Sequence, residues 1–258
     1  MKASDLKSIV KEKYGKIALQ DNTGNSCCTG SPCCGATDYT VFSEKYDAKE
    51  GYNPDADLNL GCGIPTDFAG IKQGDKILDL GSGAGNDCFV ARALVGESGK
   101  VTGIDFTPEM LEKARSNNGK LGFKNVNFVE GDIEKMPFAD NSFNVVISNC
   151  VLNLVPDKKK AFAEIFRVLN NGGHFCVSDV VIKGSLSEKI RKDAEMYAGC
   201  VSGASDIGEY LGIIKSTGFS SVKIHKQKEI KLPEDMISGF EDDKETGIFS
   251  ITVTGYKN

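Results

Sequence analysis

The stretch KILDLGSGAGND, residues 76 to 87, constrains the fold of this chain more than any other. An apolar run of strand length ends in Gly81, Gly83 and Gly85, then gives way to CFVARALVGE, whose apolar residues recur at helical spacing. Strand, glycine turn and helix in that order make the first half of a βαβ unit. The pattern continues. KVTGID (100–105) reads as a second strand, and Thr107-Pro108-Glu109 opens a helix with proline at its first position and an acid in its first turn. VNFVEGD and FNVVISN (143–149) read as the third and fourth strands. Asp157 caps a helix with Ala161, Phe162, Ile165, Phe166 and Leu169 on one face, and the turn NNGG leads into HFCVSDVVI, a fifth strand. Strands alternating with helices predict a mostly parallel sheet covered on both faces, with ligands at the carboxyl ends of its strands. SVKIHKQKEI and IFSITVTGYK lie close enough in sequence to add a final antiparallel pair, which makes seven strands.

The remainder frames that core. Leu6, Ile9, Val10 and Ile17 fall at roughly helical spacing, predicting one helix over residues 2 to about 19, weakened near its end by Gly15. Residues 20 to 75, rich in Gly, Asn, Asp, Pro and Cys, read as loops with short helical pieces. With 258 residues, 40% of them hydrophobic, one globular domain with an appended element suffices. A formal charge of −5 and no long basic block argue against a nucleic-acid partner. No apolar run approaches bilayer length, and MKASDLKSIVKEKYG has no uninterrupted apolar core, so no membrane association and a cytoplasmic address are expected.

The glycine spacing bears on the ligand. A dinucleotide fingerprint would place glycine or alanine at position 86, where the chain has Asn86, and Asp79 precedes the glycines, so nicotinamide is disfavoured. Asp105, twenty residues past Gly85 at the end of the second strand, is placed to accept hydrogen bonds from both hydroxyls of a ribose. Nine cysteines, an odd number without a secretory pattern, favour redox or soft-metal chemistry over a disulfide framework. Cys88, on an apolar helix face, and Cys176, inside a strand, read as core filling. His174 and His225 lie near no motif and read as structural or surface residues, which leaves no histidine for acid–base work.

The series DLGSGAG, GIDFTPEML, GDIEKMPF and NVVISN resembles the class I S-adenosylmethionine-dependent methyltransferases, a Rossmann-like family, over about residues 70 to 180. That resemblance implies S-adenosylmethionine as cofactor. Asp79 and Gly81, Gly83 and Gly85 would hold its methionine moiety, Asp105 its ribose, and Asp132 and Ile133 would flank its adenine, with Phe106 and Asn149 as further contacts.

LGCGIP (Cys62), SNCVLNL (Cys150) and YAGCVSGA (Cys200), in that order, with Tyr14-Gly15 and the paired cysteines of SCCTGSPCCG, closely resemble the arsenite methyltransferases over nearly the whole chain. The resemblance implies trivalent arsenic as substrate, bound by Cys150 and Cys200, with Cys62 completing the site and sharing in its thiol and disulfide chemistry. Three thiolates suit a soft, thiophilic centre. Thioredoxin or glutathione would serve as reductant, and the expected assembly is a monomer. Cys27, Cys28, Cys33 and Cys34 would be accessory thiols over the mouth of the site, capturing arsenite or relaying disulfides. Residues 1–69 would then cap the active site, 70–182 bind the cofactor, and 183–258 supply an arsenic-site helical segment and the closing strands. Ile64 stands where bacterial members commonly carry asparagine, and the C-terminal region of longer members is expected to be abbreviated or missing.

Two other classes stand beside this one. A class I methyltransferase acting on a small carbon or sulfur acceptor would keep the cofactor loop and ignore the cysteines. A non-enzymatic zinc or metalloid binder could use the cysteine pairs alone, with no need of DLGSGAG or Asp105.

Overall fold

A central parallel strand is covered on both faces and therefore reads as continuous apolar sequence. In β1 (Lys76–Leu80) the side chains of Ile77, Leu78 and Leu80 are fully buried, and so is nearly all of Asp79. The computed structural model describes residues 3–19, 44–184, 203–230 and 247–258. Cys27, Cys28, Cys33, Cys34, Cys200 and the helical stretch expected around Cys200 lie outside them.

Helix α1 (Ala3–Ala18) precedes β1, and the chain then alternates through α2 (Asn86–Val95), β2 (Lys100–Asp105), α3 (Pro108–Leu121), β3 (Val126–Glu130), β4 (Phe143–Asn149), α4 (Lys158–Val168) and β5 (Leu169–Lys183). Helix α5 (Ile207–Ser216), β6 (Ser220–Glu229) and β7 (Gly247–Tyr256) complete it. The sheet order is β3-β2-β1-β4-β5-β7-β6. The first five strands pair in parallel. β7 runs antiparallel to both β5 and β6, so it alone is reversed and the expected seven-stranded α/β sheet is what forms.

The helices pack in two layers. Phe89 of α2 and Leu111 of α3 bury with Ile77, Val101 and Phe128 on one face, where Cys88 and Cys176 also lie. Phe162 of α4 and Tyr210 of α5 bury with Leu78, Val146 and Phe175 on the other. The Phe162 ring meets Phe175 and Tyr210 edge-on at centroid distances of 5.7 and 5.6 Å, the arrangement that the aromatic quadrupole favours. Asp157 caps α4 by accepting a hydrogen bond from Lys160 N at 3.1 Å, as its position before the helix predicts.

NNGG is not a separate turn. Leu169 is already extended and pairs with Phe143, the register shifts before Val145, and Gly172 and Gly173 exchange backbone hydrogen bonds with Lys257 at 2.7 and 2.9 Å. Pairing of the two glycine backbones with Lys257 lets the strand absorb this stretch as an irregularity. Among the described residues no helix is long and apolar enough to cross a membrane.

β1 and β4 are adjacent, and their outgoing connections leave for opposite halves of the sheet. A crevice at their carboxyl ends follows from that switch in strand order.

Candidate active site

The crevice is built by the loop between β1 and α2. Gly81 N and Ser82 N donate to Ile104 O at 2.8 and 3.0 Å, which lashes the loop to the end of β2. Asp105 continues the lashing. One carboxylate oxygen accepts from Gly83 N at 3.0 Å and the other from Thr107 N at 2.8 Å. Gly85, with φ +99°, caps α2, and a Cβ there would lie 2.9 Å from the rings of both Phe89 and Phe128. Gly85 thus serves the packing below the loop, whereas Gly81 and Gly83 line the crevice itself. The crevice encloses about 1240 Å³ counting its open mouth.

Three carboxyl groups crowd its floor. Burial pushes Asp79 well above the usual carboxylate range, and the charges of Asp87 and Asp105 push the same way. The Cys88 thiol donates to Asp79 Oδ2 at 3.2 Å, so this cysteine is both core filling and a hydrogen-bond donor to the crevice wall. Burial pushes Asp87 up to about 6 and raises Asp105 as well. A cation among them would relieve this crowding. Ser82 Oγ on this loop and Asn86 Oδ1 at the start of α2 are buried without a hydrogen-bond partner. Each is a polar atom that a ligand could satisfy.

The far end of the crevice carries Phe106, Asp132 and Ile133. Lys7 of α1 reaches across it, pairing with Asp132 Oδ2 at 2.5 Å and with Glu134. Val10 and Tyr14 of the same helix also line the crevice. α1 is therefore part of its wall.

At the opposite side Asn149 ends β4 and Cys150 follows it, both lining the crevice. Cys150 has φ +60°, a left-handed backbone rare for a side chain of this kind, and its N–H donates to Ser178 O at 2.8 Å. Such strain persists only where surrounding structure enforces it, and it collects at functional sites. Cys62 is 1% exposed and packs in one buried cluster with Cys150, Val180 and Ala204. Its loop fits closely. A Cβ on Gly63 would stand 2.5 Å from Ser178 Oγ, so only glycine lets this backbone approach β5. Asn149 Oδ1 accepts from Cys62 N at 3.0 Å and Gly63 N at 3.3 Å, while its amide nitrogen donates to Gly63 O at 2.8 Å. Ser250 Oγ donates to Cys62 O at 2.5 Å.

The structure thus brings Cys62 and Cys150 together beside the crevice, with Ala204 four residues past Cys200 in the same cluster. Among the described residues no group of three potential metal ligands converges. His174 and His225 lie away from the crevice, against Tyr256 and Phe68. Lys7, Tyr46 and Asp87 escape sequence reading. Asp87 alone left a trace, as an acid in the first turn of α2.

This strand order, with an acid-flanked glycine loop at the switch point and a carboxylate ending β2, defines a class I methyltransferase fold. The chain belongs to the methyltransferase-domain family, which it matches over residues 71–230. Within it, the resemblance to arsenite methyltransferases holds: the chain is 38% identical over 262 residues to that of Halobacterium salinarum, covering 97% of this chain and 66% of that protein. It is 43% identical over 233 residues to that of Homo sapiens, covering 85% and 59%. The crystal structure of an arsenic(III) S-adenosylmethionine methyltransferase from Chlamydomonas reinhardtii superimposes with a TM-score of 0.67 at 37% identity, over 76% of this chain and 67% of that one. The chain spans 44 to 66% of the length of the curated arsenite methyltransferases it matches.

Proposed function

We propose that this protein transfers the methyl group of S-adenosylmethionine to thiol-bound trivalent arsenic, giving methylated arsenicals. The observation that carries the reading is Cys62 and Cys150 buried together at the rim of a crevice whose floor is acidic. The crevice residues suit the donor: Asp79 and the glycine loop for the cationic methionine end, Asp105 for the ribose, Asp132 and Ile133 for the adenine. Bound there, S-adenosylmethionine supplies an electrophilic methyl on a sulfonium.

Arsenite is a neutral hydroxide at pH 7. Each thiol that engages it forms an As–S bond and releases water, the thiol proton leaving with the hydroxide. Cys62 and Cys150 furnish two such bonds, and Cys200, four residues before the cluster's Ala204, is the third donor in this reading. The resulting pyramid leaves the arsenic lone pair exposed. As that pair forms the As–C bond, the C–S bond of the sulfonium breaks and its electrons stay on sulfur. The acceptor carries no proton to remove, in keeping with the absence of a histidine from the crevice. Catalysis rests on alignment, which well-placed groups supply by removing the entropy of approach. Return of methylated arsenic to the trivalent state oxidises two thiols to a disulfide, so a thiol reductant such as thioredoxin or glutathione is part of the proposal. Cys27, Cys28, Cys33 and Cys34 act in it as accessory thiols.

The test is incubation with arsenite, S-adenosylmethionine and a thiol, with products separated by chromatography and detected as arsenic. Methylated arsenic is expected from the parent and loss of product from Cys150→Ser and Cys200→Ser, both still binding the donor. Product that survives both substitutions would point to another acceptor, and failure to bind the donor would overturn the reading entirely.

A further inference from the structure

Tyr46, Asp87 and Asn149 form a buried polar network that touches both halves of the proposed reaction. The Tyr46 hydroxyl lies 2.7 Å from Asp87 Oδ1 and 3.1 Å from Gly63 O. Asn149 Nδ2 lies 2.9 Å from the Tyr46 hydroxyl, 3.1 Å from Asp87 Oδ2 and 2.8 Å from Gly63 O. Asp87 stands in the first turn of α2, directly after the glycine loop, and Gly63 follows Cys62. One set of hydrogen bonds therefore connects the backbone of the Cys62 loop to the helix that begins at the donor loop.

The directions are fixed by chemistry. Ionised Asp87 only accepts, so the single Tyr46 proton points to it over the shorter distance, and the hydroxyl oxygen is left to receive from Asn149. The Asn149 amide then spends one N–H on Gly63 O and its oxygen on the Cys62 and Gly63 amides. The network holds the Cys62 loop by three backbone groups, Cys62 N, Gly63 N and Gly63 O, and Tyr46 is only 3% exposed.

We propose that Tyr46 and Asp87 are positioning residues for methyl transfer, which fix the Cys62 loop against the donor loop through Asn149. The inference rests on the proposed arsenite reading only for the reaction it serves. Neither residue touches a reacting atom. A displacement of the thiol by a fraction of an ångström would reduce turnover without changing donor affinity, since alignment is what the reaction requires.

The test uses Tyr46→Phe and Asp87→Asn in the full chain, with two readouts. The first is steady-state methylation of arsenite: kcat is expected to fall about tenfold or more in both variants, while the dissociation constant for S-adenosylmethionine changes less than about threefold in Tyr46→Phe, the variant that leaves the carboxyl groups of the crevice floor intact. The second needs no turnover: alkylation of Cys62 by iodoacetamide, followed by peptide mass spectrometry with Cys176 as the buried internal reference. Its rate is expected to rise about tenfold in Tyr46→Phe as the loop is released, Cys176 staying protected. Unchanged Cys62 labelling together with an unchanged kcat would overturn the proposal. So would equal acceleration at Cys62 and Cys176, which would mean global loosening. A parent protein that methylates no arsenic, yet shows the Cys62 effect, refutes the acceptor assignment and leaves the positioning role supported.

Discussion

Asp179 offers the sharpest physical test of how the region behind the cysteines is built. It lies on β5, next to the Ser178 that bonds Cys150, is 0% exposed, and accepts a hydrogen bond from Tyr210 Oη at 2.9 Å. Burial pushes it up to about 7, against the opposing pull of Lys158 and its hydrogen bonds. Because the folded carboxyl binds its proton more tightly than the unfolded one, it contributes stability that is complete below 3.8 and lost as pH rises through about 7. The gap between 3.8 and about 7, at ~1.36 kcal/mol for each tenfold change in proton affinity, amounts to about 4 kcal/mol. Asp179→Asn keeps an acceptor for Tyr210 and removes the ionisation. Parent and variant are therefore expected to match near pH 4, with the variant more stable near pH 8 by up to about 4 kcal/mol, on the order of 10 °C in Tm for a chain of this size. Urea titrations at several pH values measure the difference, and subtracting the two curves removes the titration of Asp79 and Asp87. A gap that stays constant from pH 4 to pH 8 would show that Asp179 does not hold a proton in the folded state.

Three further outcomes follow from the site. Cys88→Ala should weaken S-adenosylmethionine binding several-fold by isothermal titration, by removing the 3.2 Å hydrogen bond that orients Asp79, whereas Cys88→Ser should restore most of it. Gly63→Ala should cost about 1–3 kcal/mol by overpacking against Ser178, and Ser178→Gly in the same chain should recover part of that, a coupling read from a double-mutant cycle. Lys7→Met should speed dissociation of bound donor, seen by stopped flow, because the pairs with Asp132 and Glu134 hold α1 across the crevice. That difference between parent and variant should shrink in about 1 M salt, where the screening length is ~3 Å.

Local chemistry made the donor side legible. DLGSGAG carries the end of a strand and a glycine turn that leads straight into a helix, and Asp105 follows at the end of the next strand, so order and spacing alone identify the crevice. The acceptor side was legible only as a resemblance. Nothing local in LGCGIP says that Asn149 grips both faces of its backbone, because those partners are 86 and 87 residues apart. Asn149 was expected as a cofactor contact, and it does line the crevice. Its amide is committed to the Cys62 loop, Tyr46 and Asp87. Tyr46 sits in a segment without periodicity, and no pattern distinguishes a tyrosine that closes a network from one on the surface. Cys88 was half legible: the apolar helix face showed burial, but its bond to Asp79 depends on how α2 lies over β1. The irregular start of β5 escaped because the backbones of Gly172 and Gly173 pair with Lys257, far along the chain.

The clamp from Ser250 to the Cys62 carbonyl spans 188 residues. A ribosome must therefore deliver every residue from Cys62 through Ser250 before that clamp can close, because Ser250 lies on β7, the strand between β5 and β6. Until then the thiol of Cys62 stays open to oxidants, electrophiles and any soft metal in the surroundings. Contacts so distant also form slowly, because the loop-closure entropy comes due before they stabilise anything. For a nascent chain that carries nine cysteines, the order of synthesis is itself a chemical hazard.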